Sequence, residues 1–245
     1  MPTLVIAAGL SLLGGLGGLL IASGVLLFNE QQRSAIVPWL VSYAVGALLG
    51  IAAMGLLPES IQVLPPSRVF ATLLAGIMFF FVLEKLVLWR HSHIHEGDLH
   101  GGTVASVIIG DTVHNFVDGT VIGAAVLTSI PLGISTAIAV AAHEIPHEIG
   151  DFAILLHAGY SRRNALLLNS ISALANLLGT FCAVAAFDVV PHALPYALAI
   201  AAASFLYIAM TDLMPGLHRG RTDARSLLHV LAIIAGIVTM ILVAE

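Results

Sequence analysis

The chain has 245 residues, 59% of them hydrophobic and only 9% charged, and its mean hydropathy is +1.02. Soluble domains carry roughly 25% charged residues, so this composition excludes a soluble protein and predicts an all-α integral membrane protein. A net charge of −5 gives no basis for nucleic-acid binding, and the single Cys182 excludes an internal disulfide framework and any multi-thiolate metal site.

Crossing a bilayer as a helix takes about 20 apolar residues. Eight segments qualify in chain order: 3–27, 36–57, 68–89, 103–127, 132–157, 164–187, 193–213 and 226–244. The first starts MPTLVIAAGLSLLGGLGG, without the basic start of a cleaved signal peptide. Polar or turn-forming runs separate the spans: NEQQRS, PESIQVLPPSR, RHSHIHEGDLHGG, TSIP, GYSRR, DVVPH and PGLHRGRTDAR. The reading is a single transmembrane domain over 1–245. Lys and Arg favour cytoplasmic loops. Arg33, Lys85, Arg90, Arg162, Arg163, Arg219, Arg221 and Arg225 fall on the loops after spans 1, 3, 5 and 7 or their flanks, whereas only Arg68 falls on the other side. That alternation supports eight transmembrane helices with both termini extracytoplasmic. Gly14 with Gly18, and Gly119 with Gly123, have the small-xxx-small spacing that lets helices approach closely. Glycine is also simply common in membrane helices.

Most carboxylates lie at span ends or in loops. The deep ones are Asp111 and Asp118 in the fourth span and Glu144, Glu148 and Asp151 in the fifth. The deep histidines are His114, His143 and His147, in the same two spans. Asp111, His114 and Asp118 are spaced i, i+3, i+7 and share a helical face, with Asn115 beside it. In the fifth span His143 and His147 are i, i+4, as are Glu144 and Glu148, and Asp151 follows His147 by four. The short TSIP connection predicts an antiparallel hairpin. With Ser129 as its tip, His114 lies 15 residues before and His143 lies 14 after, so equal helical rise sets them at one depth near the bilayer middle. Pro146 cannot donate to the carbonyl of Ala142, which predicts a kink in the fifth span and a free carbonyl there.

Buried ionisable groups in a bilayer cost several kcal/mol each. Imidazoles, carboxylates and an amide at one depth form a nitrogen–oxygen cage suited to a divalent first-row metal such as Zn²⁺. A dication offsets the carboxylates and lets the histidines bind as neutral ligands. Interhelical polar glue is the bland alternative, but glue needs no excess of negative charge. Three functions remain open on the residues alone. A midplane polar site fits a metal transporter. His143-Glu-Ile-Pro-His147 matches H-E-x-x-H, the zinc motif of an intramembrane metalloprotease, although Pro146 interrupts it and His114, Asn115 and Glu148 are left without a role. His114-x-x-x-Asp118 is similar to a pair in cation diffusion facilitators, which usually have six helices and a cytosolic domain.

HNFVDG (114–119) and HEIPHEIGDFAILL (143–156) resemble the paired signatures of the ZIP family of divalent-metal transporters, in the subgroup with H-E-x-P-H-E in the fifth span. FFVLEKLVLW (80–89), the His-rich loop after it, and FLYIAMTDLMP (205–215) extend the likeness. The resemblance implies eight helices with outside termini, inward transport of Zn²⁺ or another divalent metal ion (Fe²⁺, Mn²⁺ or Cd²⁺), and a homodimer in the lipid bilayer of a bacterial inner membrane. It implies metal contacts at His114, Asn115, Asp118, His143, Glu144, His147 and Glu148, in one or two sites bridged by Asp118 or Glu144, with Asp111 and Asp151 along the pathway. Histidine at position 143 resembles zinc-selective members. The chain departs from the pattern in MGLLPES (54–60), where Glu59 is the one ionisable group, and in the sixth span, where Asn169 and Asn176 stand in for carboxylates. His91, His93, His95 and His100 in the predicted cytosolic loop either capture metal or are solvated and dispensable.

Overall fold

The computed structural model describes residues 2–92, 99–218 and 224–244. Among these residues the fold is all helical, and eight long rods follow one another along the chain. They are α1 (Pro2–Val25), α2 (Glu30–Gly50), α3 (Pro66–Ser92), α4 (Leu99–Thr128), α5 (Ile130–His157), α6 (Arg162–Val189), α7 (Leu194–Tyr207) and α8 (Ala224–Ala244). α2 continues through a π-helical stretch, Ile51–Leu56, into Leu57–Val63; α7 continues through a second, Ile208–Leu213, into Met214–His218. Six of the rods are long and apolar enough to cross a membrane. The other two, α4 and α5, are those whose hydropathy is diluted by the histidines and carboxylates singled out above.

Helix ends extend beyond the apolar segments because polar residues cap them. Asn29 and Gln32 form a reciprocal capping box, so Glu30 to Arg33 join α2 instead of forming a loop. Ser161 caps α6 through the Asn164 amide, and this draws Arg162 and Arg163 into that helix. α2 stops at Leu64, whose extended backbone is what a residue before proline prefers. α4 and α5 are joined by one residue, Ser129, whose hydroxyl accepts from the Leu132 amide at 3.3 Å. α5 ends at Gly159, at φ +87°, with the Tyr160 amide returning to the Leu155 carbonyl, a left-handed terminus that suits glycine. α5 is assigned as one unbroken helix through Pro146.

α1, α4, α5 and α6 pack as one group. α2 packs along α8, α3 along α7, and α2 also reaches α5. The main core is rich in alanine, including Ala7, Ala44, Ala47, Ala139 and Ala202, with Phe205 and Leu48 among its larger side chains. Small residues at the contacts substitute for the hydrophobic drive that lipid cannot supply. A side chain on Gly119 would overlap the Asn176 carbonyl, and one on Gly179 would overlap the Phe116 carbonyl. α4 and α6 therefore touch backbone to backbone. Gly14, Gly18 and Gly123 also sit at helix contacts, so both spaced pairs have a packing role. α8 turns Leu227, Leu231, Ile234, Val238 and Leu242 outward along one stripe, and α3 exposes Phe70, Leu74, Met78 and Phe81. These are faces suited to lipid.

Candidate metal site

The site is built on the α4–α5 hairpin. Residues spaced by three, four or seven on α4 face the corresponding residues of α5 because the single-residue turn fixes the register. His114 Nε2 lies 3.2 Å from His143 Nε2, so the depth match expected from the hairpin count is present. His114 Nε2 is also 3.2 Å from Glu144 Oε1 and 3.7 Å from Asp118 Oδ2. His143 Nε2 is 3.0 Å from Asp118 Oδ2 and 3.8 Å from Glu144 Oε1. Asp118 and Glu144 are fully buried and His143 is 2% exposed. Gly18 of α1 faces Glu144, where an added side chain would meet Glu144 Cβ at 2.8 Å. The close approach of α1 thus depends on glycine there.

The chemistry of this cluster is unlike that of polar glue. Apart from these imidazole nitrogens, the oxygens of Asp118 and Glu144 have no hydrogen-bond partner among the described residues, although buried carboxylates normally collect several donors. His143 Nδ1 contacts the Ala139 carbonyl at 3.0 Å. A carbonyl can only accept, so Nδ1 donates there and Nε2 is the nitrogen that faces Asp118 and Glu144, the orientation in which a backbone carbonyl holds a metal-binding imidazole. Four atoms at ~2.0–2.1 Å from a tetrahedral zinc stand about 3.3 Å apart. The five separations of 3.0 to 3.8 Å bracket that value. The donor set and its spacing fit a divalent cation.

Two further groups of ligand atoms adjoin the first. Asp111, His147 and Asp151 come together, with His147 Nδ1 3.7 Å from Asp111 Oδ1 and 3.9 Å from Asp151 Oδ2. Asp111, Glu144 and Glu148 form the third. Glu144 is common to the first and third groups and Asp111 to the second and third. Asp118 belongs to the first alone. The His114 ring lies 5.0 Å from that of His147 and 5.3 Å from that of His143, between the two. Asn115 is turned toward Asp111, donating to its Oδ1 at 2.8 Å. Glu148 accepts from Asn169 of α6 at 2.6 Å. His93 and His95 lie outside the described residues, and His91 and His100 are at the helix ends that flank them.

α6 and α7 add residues that the two signatures do not reveal. Asn169, Ser172, Asn176 and Thr180 are all buried on one face of α6. Ser172 Oγ meets Thr112 Oγ1 at 2.9 Å, and Asn176 Oδ1 accepts from Ser11 of α1 at 2.7 Å. Their i, i+3, i+7, i+11 spacing in an otherwise apolar span is the signal that finds this stripe. Phe205 of α7 meets the His143 ring edge-on at 6.0 Å and covers one side of the site.

Comparison with known proteins agrees with this architecture. Residues 90–244 match the family model described as the ZIP zinc transporter. The chain is 32% identical to zinc transporter ZIP4 of Homo sapiens over 82% of its length and 42% of the relative's. It is 34% identical to zinc transporter ZIP13 of Pongo abelii over 83% of its length and 65% of the relative's. Zinc transporter ZIP10 of Mus musculus is 38% identical over 57% of this chain and 19% of the relative. The chain thus spans less than two thirds of each of these relatives. The family's members are transporters and not enzymes, which removes support for the metalloprotease reading of HEIPH. With the matched region spanning α4 to α8, the chain belongs to the ZIP zinc transporter family of multi-pass membrane proteins.

Proposed function

We propose that this chain carries Zn²⁺ across a cell membrane into the cytoplasm, binding it between His114, Asp118, His143 and Glu144 on the way. The observation that carries this reading is the convergence of four ligand atoms within 4.8 Å of one another, on carboxylates that have no hydrogen-bond partner among the described residues besides those imidazoles. Zinc is favoured by the two imidazoles and by the names of the relatives. Fe²⁺, Mn²⁺ and Cd²⁺ fit the same donors and are the competitors to test.

The proposal extends to a second ion held by Asp111, Glu144 and Glu148, the group that shares Glu144 with the first, with His147 and Asn115 as further contacts and Asp151 along the pathway. The chain then has eight spans with both termini outside, belongs to the H-E-x-P-H-E subgroup, and works as a homodimer in a bacterial inner membrane. The charge alternation in the loops supports that orientation. His91, His93, His95 and His100 serve to capture metal on the cytosolic side.

The test is zinc entry into sealed proteoliposomes holding a zinc-responsive dye. Wild-type protein is expected to give accumulation above that of protein-free vesicles, and the His114→Ala/His143→Ala double variant is expected to return entry to the protein-free rate. Entry at the wild-type rate in a correctly inserted double variant would reject the site.

A further inference from the structure

A cavity lies at the end of the bundle where α1 and α5 finish and α2 and α6 begin. Its volume is about 320 Å³, within the ~300–1,000 Å³ of small-molecule clefts. Three arginines from two helices line it, Arg33 of α2 and Arg162 and Arg163 of α6. No described carboxylate lies within 4.0 Å of any of them, since every ion pair among the described residues involves a histidine. The opposite wall is apolar, formed by Leu26, Phe152 and Leu156. Leu155 and Ala165 lie in the small core packed against Leu26 and Leu156. Ser23 also lines the cavity, and its hydroxyl is sequestered without a hydrogen-bond partner.

Three guanidinium groups with no carboxylate partner among the described residues, beside an apolar wall, suit a ligand that is anionic at one end and oily at the other. The position is informative, because four helix termini meet there, and helix termini of a spanning bundle sit at the headgroup level. Arginine forks suit phosphate oxygens, and basic pockets between spans on the cytoplasmic side bind anionic headgroups. We propose that this cleft is a binding site for one anionic phospholipid. Its phosphate is held by Arg33, Arg162 and Arg163, the Ser23 hydroxyl donates to the lipid's polar region, and an acyl chain lies along Leu26, Phe152 and Leu156. The site is separate from the metal cluster and does not depend on which ion that cluster takes.

The experiment is native mass spectrometry of the full-length chain in detergent, titrated with phosphatidylglycerol and with phosphatidylcholine of the same acyl chains. Wild-type protein is expected to retain phosphatidylglycerol about a hundredfold more tightly than phosphatidylcholine. Each arginine contributes roughly fivefold, so Arg33→Gln/Arg162→Gln/Arg163→Gln abolishes the preference. The matching triple Arg→Lys variant keeps charge at all three positions and retains most of the preference, which separates charge from misfolding. Arg68→Gln, at the other end of the bundle, leaves it unchanged. Equal retention of the two lipids by wild type, or a preference that survives the triple Gln variant, overturns the proposal. So does displacement of phosphatidylglycerol by an equal concentration of glycerol 3-phosphate, because the apolar wall would then contribute nothing.

Discussion

Two histidine environments in this molecule are instructive when set side by side. His229 of α8 places Nδ1 2.8 Å from Ser42 Oγ and stacks obliquely against Trp39 of α2, with ring centroids 5.4 Å apart. Its partners are neutral, and no described carboxylate lies within 4.0 Å of it. His143 instead meets two buried carboxylates and another imidazole, and those carboxylate oxygens have no hydrogen-bond partner among the described residues besides the imidazoles. The first is a helix-to-helix hydrogen bond with its accounts closed. The second is an arrangement whose negative charge calls for a cation. Residue type and membrane setting are shared, so the difference lies in uncompensated charge and unmatched acceptors.

Three substitutions sharpen that contrast, each read by competition with a chromophoric zinc chelator on purified protein. His143→Ala removes a direct ligand and is expected to weaken zinc binding by at least about a hundredfold, beyond the ~10–100-fold of an outer partner. Wild-type affinity in that variant would erase the distinction. Asn169→Ala removes the donor that orients Glu148 and is expected to weaken binding roughly tenfold, the lower end of the outer-partner range. No change would place Glu148 outside the ion's influence. His229→Ala is expected to leave zinc affinity untouched and to lower stability by only ~0.6 kcal/mol, the average for a hydrogen bond between membrane helices. If it lost zinc as His143→Ala does, neutral and ionic surroundings would not be the deciding variable.

Much of the site was legible because helices count residues faithfully. Ser129 as the tip, 15 residues to His114 and 14 to His143, sufficed to place the two imidazoles opposite each other, and they stand 3.2 Å apart. The fused glycine contacts were foreshadowed by spacing, though only packing identifies Asn176 and Phe116 as the neighbours of α4 and α6. The contact of Asn169 with Glu148 was not legible, since it depends on the rotation of α6 against α5. Nor were the π-helical stretches Ile51–Leu56 and Ile208–Leu213, because an apolar sequence with one extra residue per turn has no distinct pattern. The apolar segments were too short at several ends because hydropathy does not register a cap. Asn29 and Ser161 recruit charged residues into helices that lipophilicity alone would stop earlier.

The single-residue join at Ser129 has a mechanical consequence. A link that short has no slack, so one arm cannot ratchet past the other by a helical turn of ~5.4 Å without tearing out the serine cap. The hairpin behaves like tweezers welded at the hinge: its arms can splay, but they cannot shear. Opening of the α4–α5 cluster then comes from splaying at the open end or from the hairpin and its neighbours parting as units, with Phe205 a door leaf beside His143.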